Sequence, residues 1–148
     1  MVPPTLIGGR QHEQVAKGGD AGMAQYTVLV VDDDASIRSL IAELLDDAGY
    51  TVLEADCGKM ALSLAQEHAP SVALVDYMLP DMSGLDVLER LRTQRESRHI
   101  PVMLLSGRAH QLVDRQHGAD GVLMKPFDIN VLLDRVDALA SHMSVGGV

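Results

Sequence analysis

Asp32, Asp33, Asp76, Ser106 and Lys125 are the residues of this 148-residue chain whose types and settings could do chemistry together. Each stands at or just past the end of a short apolar run. Thr27-Val-Leu-Val-Val31 leads into the acidic pair, Val72-Ala-Leu-Val75 into Asp76, Ile100 to Leu105 into Ser106, and Val122-Leu-Met124 into Lys125. Runs of that length and composition read as buried strands. Taken singly, each residue has a plainer use: an aspartate after a strand caps or turns, a serine before glycine turns, and a lysine before proline sits in a loop. Their conjunction points elsewhere. In an open parallel sheet the carboxyl ends of the strands share one edge, and ligands gather in the crevice there. Three carboxylates crowded at that edge repel one another, so one must take a proton or a cation must compensate them. Oxygen ligation without His or Cys suits a hard divalent ion such as Mg²⁺, which keeps several waters and leaves room for phosphate oxygens. A lysine on the opposite flank and a hydroxyl beside the acids would complete the neutralisation of a transferring phosphoryl group. The nucleophile would then be a carboxylate, giving an acyl phosphate.

The elements that must deliver these groups alternate along the chain. After the first strand, Ile37, Leu40, Ile41, Leu44, Leu45 and Ala48 recur at helical spacing, with Asp34 as the N-cap and Gly49 as the stop. Tyr50 to Ala55 reads as a second strand, and Met60, Ala61, Leu64 and Ala65 mark a second helix that ends before Pro70. Beyond Asp76, Pro80 and Gly84 punctuate a loop; Leu85, Leu88 and Leu91 then form the inner face of a third helix, with Arg90, Arg92 and Arg95 on its wet side. A short helical region from about Ala109 to Gln116 follows the fourth strand, closed by His117-Gly118. Ile129, Leu132, Leu133, Val136 and Leu139 line the last helix. Strands alternating with helices through short connections predict an α/β fold: a doubly wound, five-stranded parallel sheet of flavodoxin-like order 2-1-3-4-5.

Composition fits that architecture and narrows the partners. Hydrophobic residues make up 47% and charged residues 22%, ordinary globular usage for one domain. The net charge of −9 repels phosphate backbones and anionic membrane surfaces, so no direct nucleic-acid or membrane partner is expected. One cysteine, Cys57, excludes an internal disulfide and accords with a cytoplasmic location. No stretch approaches the roughly 20 apolar residues of a membrane span. Residues 1–24, with Pro3, Pro4, Gly8-Gly9 and Gly18-Gly19, read as a flexible leader, 25–143 as the folded domain and 144–148 as a disordered tail.

The acidic pair after Val30-Val31, Asp76 with downstream Pro80 and Gly84, Leu104-Leu105-Ser106-Gly107 and Lys125-Pro126-Phe127 together resemble the bacterial two-component response-regulator receiver domain, of a stand-alone, chemotaxis-regulator-like kind. The resemblance runs from about Tyr26 to Ser141. It implies that Asp76 accepts a phosphoryl group from a sensor histidine kinase or histidine phosphotransfer protein. It further implies that Asp33 ligates Mg²⁺ directly, Asp32 largely through water, and Asp76 and the main-chain carbonyl of Met78 complete the set. Ser106 would sense the aspartyl phosphate, Lys125 would pair with it, and Gly107 would keep the approach open. It would be mainly a signalling phosphoacceptor, with Mg-dependent self-phosphorylation and autodephosphorylation chemistry. With no segment after the last helix that could form an output domain, output is expected by protein contact with an unidentified target. A phosphorelay shuttle or a receiver excised from a hybrid kinase is the alternative. Two departures bear on output: Val122 stands where the family usually has an aromatic switch residue, and the stretch from Ser106 to Gly118 is shorter than usual. A haloacid-dehalogenase-type phosphatase would explain Asp32-Asp33-Asp34, Ser106 and Lys125, but it leaves Asp76 without a use.

Overall fold

A computed structural model describes residues 26–107 and 118–146. In chain order the elements are β1 (Thr27–Val31), α1 (Ala35–Asp47), β2 (Thr51–Ala55), α2 (Gly58–His68), β3 (Val72–Asp76), α3 (Gly84–Arg92), β4 (Val102–Ser106), β5 (Gly121–Met124) and α4 (Ile129–Gly146). The strands form one parallel sheet of order β2-β1-β3-β4-β5, the doubly wound, flavodoxin-like topology the sequence predicts. The leader and the expected helix at Ala109 to Gln116 lie outside the described residues. Helix α4 continues to Gly146, past the boundary expected at 143.

Strand side chains alternate between faces, so each strand feeds two cores. Val28, Val30, Leu74, Met103 and Leu105 pack with Ile41, Leu45, Leu132 and Val136 under α1 and α4. Leu29, Val31, Ala73, Val75 and Leu104 pack with Ala61, Leu64, Leu88 and Leu91 under α2 and α3. Both faces are therefore covered, which is why the strands read as continuous apolar runs rather than alternating ones. Helix α1 departs from expectation in its inner face. Its buried residues are Ile41, Ala42, Leu45 and Asp46, whereas Leu40 is 51% exposed. At 3.6 residues per turn, an arc centred on Ile41, Ala42 and Leu45 leaves Leu40 on the flank.

Register decides what reaches the edge. Val31 lies opposite Ala55 and Val75, Asp76 opposite Leu105, and Ser106 opposite Met124. Asp32, Asp76, Ser106 and Lys125 therefore emerge at nearly one level along the carboxyl ends of the strands.

Candidate functional site

Asp32, Asp33 and Asp76 each offer a carboxylate oxygen, and these oxygens lie within 4.8 Å of one another. Asp32 and Asp76 are buried, while Asp33 is exposed and forms the open side of the cluster. Lys125 closes the other side: its Nζ lies 2.9 Å from Asp32 Oδ2 and 3.0 Å from Asp76 Oδ1. The lysine thus serves two acids rather than Asp76 alone. Three carboxylates and one ammonium leave two negative charges, a deficit that one divalent cation cancels. The donors are all oxygen and Asp33 faces water, so the residues fit an ion that keeps part of its hydration shell, as Mg²⁺ does. Ser106 is buried on the neighbouring strand, and its carbonyl accepts from the Lys125 amide at 2.7 Å, which fixes the root of the lysine.

The charges in this cluster are not independent. Burial pushes the Asp76 carboxyl above its ordinary value; the hydrogen bond from Lys125 works against that, and the neighbouring Asp32 and Asp33 charges reinforce it. For Lys125, burial acts to lower the pKa, but the hydrogen bonds to Asp32 and Asp76 and their charges outweigh it, and the net direction is upward. The ammonium is therefore locked in its charged form. Asp76 is desolvated and crowded by like charge, the setting in which added positive charge has most effect.

The acidic loop and the loop after Asp76 are each pinned. Asp34 caps α1 as expected, accepting from the amides of Ser36 and Ile37 at 2.9 and 3.2 Å, while its own amide donates to Asp32 Oδ1 at 2.9 Å. After β3, the Tyr77 amide continues the ladder to the Leu105 carbonyl at 2.8 Å, Met78 bridges to Ser83, and Ser83 with Asp86 forms a capping box on α3. Gly84 packs so closely under the site that an added Cβ would lie 2.5 Å from the Asp76 carbonyl oxygen. Only glycine lets α3 begin there without moving the backbone of Asp76. At Gly107 an added Cβ would meet no atom of the described residues within 4 Å. Met78 is 62% exposed. Val122 lies opposite Leu104, half-buried against the α2/α3 core, and has no ring to rotate toward Ser106.

Three residues escape a reading of the sequence. Asp81 accepts from the Gly58 and Lys59 amides at 2.7 and 2.9 Å, capping α2 from another loop. Arg38 donates from Nη1 to the Asp32 carbonyl at 2.8 Å and from Nε to Glu54 at 3.2 Å. Arg92 is not merely on the wet side: it reaches the carbonyls of Arg98, Ile100 and Gly118 and the Asp120 carboxylate. All three have partners remote in sequence, so spacing carries no trace of them. Arg38 does leave one clue, a cation in the first turns of a helix, where the macrodipole disfavours it.

Comparison with known proteins agrees with this geometry. A sequence model described as the response regulator receiver domain matches residues 28–137. The phosphate regulon transcriptional regulatory protein PhoB of Pseudomonas aeruginosa is 33% identical over 127 residues, covering 84% of this chain and 56% of that protein. Chemotaxis protein CheY-3 of Vibrio cholerae is 31% identical over 120 residues, covering 78% of this chain and 92% of its own length. The chain spans about half the length of several transcriptional regulators it matches, 56% and 48% in two cases. Among solved structures, Vibrio cholerae CheY4 superposes with a TM-score of 0.74 at 32% identity, covering 78% of this chain and 99% of that one. The receiver domain of a Pseudomonas aeruginosa sensor histidine kinase, solved with a magnesium ion coordinated in its active site cleft, superposes at 0.73 with 27% identity, covering 80% and 99%. These matches set aside the phosphatase reading, and with them the chain belongs to the response regulator receiver domain family.

Proposed function

We propose that Asp76 is a phosphoacceptor. An oxygen of its carboxylate attacks the phosphorus of a phosphohistidine on a sensor histidine kinase or histidine phosphotransfer protein. The P–N bond breaks and the imidazole nitrogen leaves with the electron pair, producing an aspartyl phosphate. The observation that carries this reading is the convergence of three carboxylates within 4.8 Å beside the ammonium of Lys125. Mg²⁺, held by Asp32, Asp33, Asp76 and the main-chain carbonyl of Met78, would supply charge neutralisation for the phosphoryl oxygens when bound. Lys125, already bonded to Asp76, stays within reach of the group that Asp76 receives. Ser106, from the adjacent strand, offers the hydroxyl that senses it.

The chemistry is the same whether these residues act as a stand-alone receiver, a relay shuttle or one part of a hybrid kinase. Output runs through contact with another protein. Val122 has no ring, so rotation of an aromatic side chain toward Ser106 is not part of the readout at this position. No described helix is long and apolar enough to cross a membrane. That observation and the single cysteine support a cytoplasmic setting, and the net charge of −9 speaks against direct nucleic-acid contact. The test is mass. Incubated with acetyl phosphate or a phosphorylated kinase and Mg²⁺, the wild type should gain one phosphoryl group that chelation prevents and Asp76→Asn lacks. Labelling that survives the substitution would overturn the assignment.

A further inference from the structure

Arg38 stands near the positive end of α1, where the macrodipole disfavours a cation, yet its side chain is only 19% exposed. Its fork is used in two directions. Nη1 donates to the main-chain carbonyl of Asp32 at 2.8 Å, and Nε donates to Glu54 Oε1 at 3.2 Å. Glu54 sits on β2 immediately before Ala55, whose carbonyl accepts from the Asp32 amide at 3.1 Å. Asp32 is thereby held at every polar group: its amide by Ala55, its carbonyl by Arg38, Oδ1 by the Asp34 amide and Oδ2 by Lys125.

The carbonyl contact reaches past Asp32. The Asp32 carbonyl and the Asp33 amide belong to one planar peptide unit, so fixing the oxygen fixes where the Asp33 Cα begins. Asp33 is the exposed member of the acidic cluster and takes its placement from that backbone. We infer that Arg38, oriented by Glu54, is a positioning residue for the metal-binding acids, setting the Asp32-Asp33 peptide so that both carboxylates face Asp76. This rests on the proposed reading of the cluster as an Mg²⁺ site.

Charge and position predict opposite signs, which makes the inference testable. A cation close to a divalent site opposes binding through space, so if charge alone mattered, deleting Arg38 would tighten Mg²⁺. If Arg38 positions the ligands, its removal loosens Mg²⁺. The experiment is calorimetric titration of Mg²⁺ into the full chain, for wild type, Arg38→Met and Arg38→Lys, well below the unfolding transition of each. The expected result is a loss of affinity of about tenfold or more for Arg38→Met, the size seen when partners that orient metal ligands are removed. Arg38→Lys can still donate one hydrogen bond toward the Asp32 carbonyl but has no planar fork to engage Glu54 as well, and should lose affinity by a smaller factor. Affinity that is unchanged or tighter in Arg38→Met overturns the inference; should that variant not fold, wild-type affinity in Arg38→Lys does the same. A wild type that takes up no Mg²⁺ overturns the reading of the site itself, a result distinct from wild type and variants binding equally well.

Discussion

Asp81 shows how a single exposed carboxylate can tie two loops together. Both of its oxygens accept from amides at the start of α2, Gly58 and Lys59, although Asp81 itself belongs to the loop between Asp76 and α3. Those backbone bonds hold its carboxyl below the ordinary aspartate value. A depressed pKa means the ionised form is favoured in the folded state. Its contribution to stability is therefore present above the ordinary aspartate pKa and is lost as pH falls through the folded-state value. The expected outcome for Asp81→Ala is a lower thermal midpoint at neutral pH, with the gap to wild type narrowing as pH falls below about 4. Thermal melts of both proteins from neutral to acid pH check it, and a gap that stays constant would refute the argument. Cys57, at the N-cap position, makes no side-chain cap bond. Asp81 supplies what the local sequence does not.

Arg92 plays the corresponding part between elements, at the opposite end of the sheet from the acids. From the last turn of α3 it reaches the Ile100 carbonyl at 2.8 Å, the Gly118 carbonyl at 3.0 Å and the Asp120 carboxylate at 2.9 Å. Asp120 in turn accepts from the Val102 amide at 2.9 Å, so the turns leading into β4 and β5 are fastened to one helix. Arg92→Ala should lower the unfolding free energy by about 2 kcal/mol, the sum of a few modest net hydrogen bonds at a partly exposed site. Equilibrium urea unfolding measures it, and a change near zero would show the guanidinium to be a bystander. This element scale is also where reading the sequence succeeds and stops. Strand ends, helix periodicity, the Asp34 cap and the five-strand order are legible because each depends on neighbours within a turn or a strand. Asp32, Asp33, Asp76, Ser106 and Lys125 are legible because parallel strands must bring their carboxyl ends to one edge. Arg38, Asp81 and Arg92 are not legible, since each bonds to backbone on a different element and any polar residue of suitable length fits the local pattern. Leu40 misleads for the converse reason: the helical period tolerates it on the inner face, and only the position of the sheet shows which arc is buried.

The molecule as a whole carries a formal charge of −9, and two of those negative charges remain at the site after Lys125 is counted. A cation that binds there and not to the unfolded chain stabilises the fold by mass action. At a hundredfold excess over its dissociation constant, Mg²⁺ should add about 2.7 kcal/mol, and Asp33→Ala should remove most of that gain while leaving the metal-free fold intact. Thermal melts with and without Mg²⁺ for the two proteins measure the difference, and equal gains would place the ion elsewhere. The four-residue strand β5 gives this balance a further turn. It delivers Lys125 from the rim of the sheet, paired among the described strands with β4 alone, whereas the acids come from β1 and β3 in the interior. A sub-global opening confined to that rim would break a single ladder and withdraw the ammonium from Asp32 and Asp76 at once. The acids would stay seated, and the crevice would pass from two negative charges to three with no covalent change. Hydrogen exchange at the β5 amides would then report how often the pocket is without its own cation.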